Sequence, residues 1–332
     1  MKTIRLLVFA ISILFVHKVS VSLLFAKAPT TPKILFTSLR DGNQEVYIMN
    51  PDGSEQKNLT RHRALDRDAV WSPTGEQILF ESDRDGIRDL YLMNADGSNV
   101  RRVFRKAIYR DDPTWAPDGK QIAYVHMNFE IPSFIIHIAT LGQQKEKPLA
   151  DGVEPAWSPE GTEIACSVGG LIQRRLALIN VRTRKRKLPM RLKVTNRQAS
   201  PSWSAAGDKL AFGWNKNPPP LVDGALVQKA WDDKRTIYIV NRDGTGLQQI
   251  VDEVGPRATN PELSPSGDEV LYTQKIDGHL QIFKVDINSK VPTQLTNIKQ
   301  NSGGDWFDPA YPLSVSPQPQ FLTTTWGKVK SK

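Results

Sequence analysis

The chain has 332 residues, 39% of them hydrophobic, and a single cysteine, Cys166. That is enough apolar material for one large domain, and one cysteine excludes an intrachain disulfide framework. The formal charge of +9 favours anionic surfaces or polymers, but no nucleic-acid module is present and nucleic acid is not an expected partner.

Residues 1–28 stand apart from the rest. Met1 to Arg5 is a basic start, Leu6 to Val16 is an apolar run, His17 and Lys18 interrupt it, and Val21 to Ala26 is apolar again. This resembles a secretory signal peptide and predicts a periplasmic or secreted bacterial protein. An uncleaved N-terminal anchor is the other reading, because Pro29 follows the small-x-small pattern Ala26-Lys27-Ala28. Export without a disulfide predicts a domain held by its core. Cys166 lies in an apolar stretch and is expected to fill core space rather than to react.

From Lys33 onward the sequence repeats itself. W-S-P-T-G-E-Q-I-L-F opens at Trp71, and related copies open at Trp115, Trp157, Trp203 and Leu263, spaced 44, 42, 46 and 60 residues apart. Such a period marks stacked or radial repeats of one supersecondary unit. Each copy reads as four short strands. A first strand ends at the Pro-x-Gly turn, an apolar strand such as Ile78-Leu79-Phe80 follows, an aromatic strand such as Leu90-Tyr91-Leu92-Met93 comes third, and the fourth is short. Asp-Gly pairs at 41–42, 52–53, 85–86, 96–97 and 243–244 supply hairpin turns, since both residues tolerate positive φ.

Four-stranded antiparallel units at this period predict an all-β fold, a six-bladed β-propeller. Residues 33–60 carry three strands of a first blade, and five complete copies follow. Asp308-Pro309-Ala310-Tyr311 repeats the spacing of Asp112-Pro113-Thr114-Trp115 and is expected to supply the missing strand. Joining both chain ends in one blade closes the ring and removes two sheet edges. The propeller is thus expected over 29–317, with 318–332 as a C-terminal extension whose β-prone run Phe321 to Gly327 pads the split blade.

No catalytic constellation emerges. There is no G-x-S-x-G nucleophile elbow, and His17, His62, His126, His137 and His279 form no metal-ligand pair in sequence. One positional set does stand out. Three residues before each Trp, or its Leu or Tyr substitute, lie Asp68, Asp112, Glu154, Ser200, Asn260 and Asp308. In a propeller the first strand lines the channel, so these six are expected to form a ring. Its carboxylates repel one another unless they meet a cation or a donor-rich ligand. A second reading makes each of them a hydrogen-bond brace between blades. No cofactor is implied, although a divalent cation in the channel fits the ring. Gly213 to Arg235 is a long insertion with Pro218-Pro219-Pro220, and its Trp214 and Trp231 are candidate ligand-contacting residues. A basic cluster runs from Arg174 to Lys193, and its 182–193 part is either a solvated hairpin or a contact for an anionic surface.

The succession D-x-P-x-W-S-P-D-G, S-x-R-D-G and I-Y-x-M-N-x-D-G resembles the TolB-type propeller repeat. The best matches are Ser38 to Gly42 with Tyr47 to Asn50, and Ser82 to Gly86 with Tyr91 to Asn94. The likeness covers about 33–317. Similar repeats occur in the periplasmic Tol–Pal component and in propellers attached to prolyl-oligopeptidase-type peptidases. The Tol–Pal protein carries an α/β domain before its propeller, whereas here the repeats follow the signal segment directly. The resemblance implies a monomeric, non-catalytic cell-envelope protein that binds proteins or peptides at the channel mouth. Two alternatives stay open. One is a propeller hydrolase or lyase acting on carbohydrate, favoured if His126 or His137 faces the channel with Asp112 and Glu154. The other is a cation-stabilised structural module of a larger envelope complex.

Overall fold

A computed structural model describes residues 27–128, 133–170, 173–190, 197–220, 225–253 and 255–311. The signal segment, 318–332 and the Arg191 and Lys193 end of the basic cluster lie outside them. Six four-stranded antiparallel sheets form the blades of a propeller. Blade 2 runs outward from Asp66–Trp71 through Gln77–Ser82 and Asp89–Asn94 to Arg101–Arg102. Blades 3 to 6 repeat this order, with innermost strands Arg110–Trp115, Val153–Trp157, Arg197–Trp203 and Ala258–Leu263.

Blade 1 is shared by both ends of the described chain. Lys33–Ser38, Glu45–Met49 and Lys57–Asn58 are its outer three strands, and Asn301–Phe307 is its innermost. Closure is therefore as expected, but the closing strand lies upstream of the expected one. Asp308 to Tyr311 is a turn after the strand, in which the Tyr311 amide donates to the Asp308 carbonyl at 3.0 Å. Trp306, paired with Ile34 as Trp71 is with Ile78, holds the repeat's Trp position.

Each blade buries its apolar face on the next. Phe80 and Trp71 meet Leu35 and Phe307 between blades 1 and 2, and Leu271 and Ile282 meet Ile34 and Tyr47 between blades 6 and 1. The Pro-x-Gly turns let the blades approach this closely. Gly75 has φ 71°, and a Cβ on it would lie 2.3 Å from the Phe307 ring. The S-x-R-D-G motif is a clamp within the blade. Arg84 folds over Tyr91 with 5.0 Å to the ring centroid, donates to Ser82 Oγ at 2.9 Å and pairs with the buried Asp66 at 3.0 Å. Asp85 accepts the Tyr91 hydroxyl at 2.5 Å. Arg40 does the same in blade 1 and reaches Asn301 of the closing strand at 3.3 Å. The motif therefore fastens the hairpin between the second and third strands back onto the first.

Candidate functional site

The ring position owes its geometry to a bulge. In every blade the pairing of the innermost strand with the second strand shifts register at the same place. Asp68, Asp112, Glu154, Ser200 and Asn260 sit there with φ between 49° and 55°. A bulge takes its residues out of the ladder, which is why Pro113, Pro155, Pro201 and Pro261 can follow without a missing hydrogen bond. All five ring residues line one cavity of about 280 Å³ at one end of the channel. Gly303, with φ 68°, takes the sixth place. Asp308 does not join the ring, because the closing strand places its bulge at Gly303 and ends before Asp308. Asp308 lies at the opposite mouth.

The same residues brace the blades. The fifth residue of the second strand accepts the ring amide of the following blade where it can. Thr37 takes Asp68 N–H at 3.2 Å, Glu81 takes Asp112 N–H at 2.7 Å, and Thr273 takes Gly303 N–H at 3.1 Å. Blade 3 has Val125 at that place, so Asp112 itself accepts Glu154 N–H at 3.0 Å. Glu154 in turn accepts Ser200 N–H at 2.8 Å and the Ser167 hydroxyl at 2.7 Å. Blade 5 has Gly213, over which the Arg235 side chain lies. Bracing between blades is thus a property of these side chains, while they also face the channel.

Charge is concentrated on one side of the ring. Ligand atoms of Asp68, Glu81 and Asp111 lie within 4.8 Å of one another. Arg67 reaches Glu81 at 3.0 Å and Asp68 at 3.3 Å, and Arg88 reaches Asp111 at 3.2 Å. These guanidiniums already occupy the place a cation would take. Burial pushes Glu81 well above the carboxylate range, and Asp68 and Asp111 add to it. Asp111 stays low despite burial, because it accepts a hydrogen bond from Glu81 and faces Arg88 and Arg67. Asp112 is pushed well up by burial and by Asp111, Glu154 and Asp68.

The other mouth is aromatic. Three residues beyond each ring position stand Trp71, Trp115, Trp157, Trp203, Leu263 and Trp306, around a cavity of about 240 Å³. Trp203 Nε1 donates to the Ala156 carbonyl of the preceding blade at 3.0 Å and Trp115 Nε1 to the Val70 carbonyl at 3.4 Å, so these two indoles also lock the blades. Immediately before Leu263 and Trp306 lie Glu262 and Asp305, which the sequence reading passed over. Thr114 and Ser202 at the same repeat position accept Trp157 N–H at 3.4 Å and Leu263 N–H at 3.1 Å. Asp305 accepts Trp71 N–H in the same way. Burial pushes Asp305 up to about 7, and burial together with Asp305 pushes Glu262 well above its usual range. An acid where the repeat otherwise carries Val, Thr, Ala or Ser was the available signal.

The long insertion is a packing element. Trp214 is next to last in the second strand of blade 5, Lys209–Asn215, is 7% exposed and stands edge-on to Tyr238 at 5.0 Å. Trp231 sits on the short helix Ala225–Asp232, is 6% exposed and donates to the Asn217 carbonyl at 2.9 Å. Neither lines a channel cavity, so both serve the core rather than a ligand. His126 and His137 pair across two strands of blade 3 with ring centroids 5.1 Å apart, and neither lines these cavities. Cys166 is fully buried, and burial pushes its thiol up to about 12. Arg182, Arg184, Lys185, Arg186 and Lys187 are exposed at the outer edge of blade 4.

The architecture has known counterparts. TolB from Acinetobacter baumannii superposes with a TM-score of 0.69 at 15% identity, over 82% of this chain and 66% of that one. A putative TolB from Agrobacterium tumefaciens gives 0.62 at 16% identity, over 83% and 92% of the two chains. Kuenenia stuttgartiensis hydrazine synthase gives 0.66 at 11% identity, over 86% and 48%. Likeness at such identities establishes the fold alone. No curated protein is similar in sequence. The TolB beta propeller domain profile matches residues 24–207, more than half of the chain. The repeat, the six blades and this match together make the chain a member of the TolB beta propeller domain family.

Proposed function

We propose that the chain is a non-catalytic binding or scaffold protein of the bacterial cell envelope. It takes a protein or peptide partner at the channel mouth, as a monomer and without a cofactor. Convergence carries this reading: five side chains from five different blades face one cavity of about 280 Å³, on a scaffold rigid enough to hold them. Asp68, Asp112, Glu154, Ser200 and Asn260 set hydrogen-bonding groups around it, which favours a polar, donor-rich partner segment. The exposed basic edge of blade 4 offers a peripheral contact with an anionic surface.

The envelope location rests on the signal-like segment and on the family. Among the described residues, no helix is long and apolar enough to cross a membrane. The carbohydrate-enzyme alternative asked for a histidine on the channel beside Asp112 and Glu154. His126 and His137 instead face each other within blade 3, so the binding reading is preferred. The test is capture of partners from the native envelope with wild type and with Asp112→Asn/Glu154→Gln. A partner held by the wild type and lost by the variant supports the proposal. Equal capture by both overturns the ring as the contact.

A further inference from the structure

The aromatic end of the channel combines two features that the ring end lacks. Its wall carries five indoles, from every blade except blade 6, and it has three carboxylates, Glu262, Asp305 and Asp308. No Lys, Arg or His is among the residues lining this cavity, whereas Arg67 and Arg88 neutralise the acids near the ring. Asp305 is tied to Trp71 N–H. Glu262 lines the same cavity as Asp305 and feels its charge, and no cationic residue lines the cavity to offset the two. Glu262 lines both cavities, so the pair stands at the waist of the channel with the aromatic wall above it.

Carboxylates at the base of an aromatic cavity attract a cation twice, by direct charge and through the electron-rich ring faces. A lysine or arginine side chain also has an apolar stem that lies well along indole and proline surfaces. We propose that this mouth is a second binding site, for a cationic side chain of a protein segment, with its head between Glu262 and Asp305 and its stem along the tryptophans. The inference rests on the binding role above only in taking a protein partner. It puts the contact at the other end of the channel and names the group received.

Two peptides test it on the full chain: acetyl-Gly-Pro-Lys-Pro-Gly-amide and the same peptide with norleucine in place of lysine. Tryptophan fluorescence reports binding, because the indoles form the wall. The lysine peptide should bind saturably and about tenfold tighter than the norleucine peptide. Glu262→Gln, which breaks no hydrogen bond seen in the structure, should bring the two affinities together, and Glu262→Gln/Asp305→Asn should do so fully. Asp112→Asn/Glu154→Gln should leave the preference intact. Equal affinities in the wild type, no saturable signal, or a preference that Glu262→Gln leaves undiminished would overturn the proposal. Failure of the ring reading shows separately, in partner capture, which this titration does not measure.

Discussion

Replacing Asp305 by Asn, whose side-chain oxygen can still accept the Trp71 N–H, should stabilise the protein at neutral pH and remove part of its pH dependence. Glu262 and Asp305 both line the aromatic end of the channel, and burial pushes Asp305 up to about 7. An aspartate in the unfolded chain titrates near ~3.9. The folded pair therefore keeps a proton that the unfolded chain releases. A carboxyl raised by folding contributes stability that is complete below the unfolded pKa and declines as pH rises through the folded one. One extra bound proton corresponds to about 1.4 kcal/mol per pH unit, so from about pH 5.5 to about pH 7 the wild type loses about 2 kcal/mol through this pair. His126 works in the opposite direction, since burial and His137 lower its pKa. The difference between wild type and variant cancels that contribution. Urea unfolding of both proteins at several pH values across this window measures it. The variant should gain on the wild type by about 2 kcal/mol as pH rises, mostly below pH ~7. A difference that is flat with pH, or that shrinks as pH rises, would rule out a proton held by this pair.

Arg110 is fully buried between Asp89 at 2.8 Å and Glu146 at 2.6 Å. Arg110→Ala leaves Asp89 buried and unpaired, and should cost about 3–5 kcal/mol in urea unfolding. Asp112→Ala loses the acceptor for Glu154 N–H and places an ordinary residue at φ 50°. It should cost about 2–4 kcal/mol, and Asp112→Asn less than about 1 kcal/mol. Equal costs for the two variants would contradict the bracing account. Removing the chain from Gln300 onward deletes the closing strand and should cause aggregation or loss of cooperative melting, whereas removal after Tyr311 should leave the melt intact. A soluble, equally stable product of the first truncation would rule out this closure.

The blades were legible because their turns demand particular residues. Pro-x-Gly and Asp-Gly recur where φ must be fixed or positive, so counting them counts hairpins. The closing strand was misplaced for the same reason. Gly303-Gly304 stands where the other blades carry a polar residue, followed in four of them by Pro, so Asp308-Pro309 looked like the better copy, and Trp306 was the overlooked marker. Five ring residues followed from register alone, because one bulge repeats around the ring. Their bracing role depends on whether the preceding blade offers Thr37, Glu81 or Val125 at one strand position, which becomes readable only once the strands are paired. Trp214 and Trp231 were drawn toward a ligand by their loop, but Trp214 packs on Tyr238 in the blade core and Trp231 ties the added helix to the Asn217 carbonyl. Glu262 and Asp305 stand 43 residues apart, one repeat period, on the innermost strands of neighbouring blades, so the pair becomes readable only once Asn301–Phe307 is recognised as an innermost strand.

Partners are expected to meet this protein at the channel mouths and not on the outer blade surfaces. Site-specific photo-cross-linking in the producing cells tests it, with the reactive group placed in turn at Ser302 by the ring, Asp308 by the aromatic mouth, and Asn288 on an exposed outer turn. Adducts with another protein should form from Ser302 or Asp308 and not from Asn288. Adducts from Asn288 alone, with both mouths silent, would contradict the account.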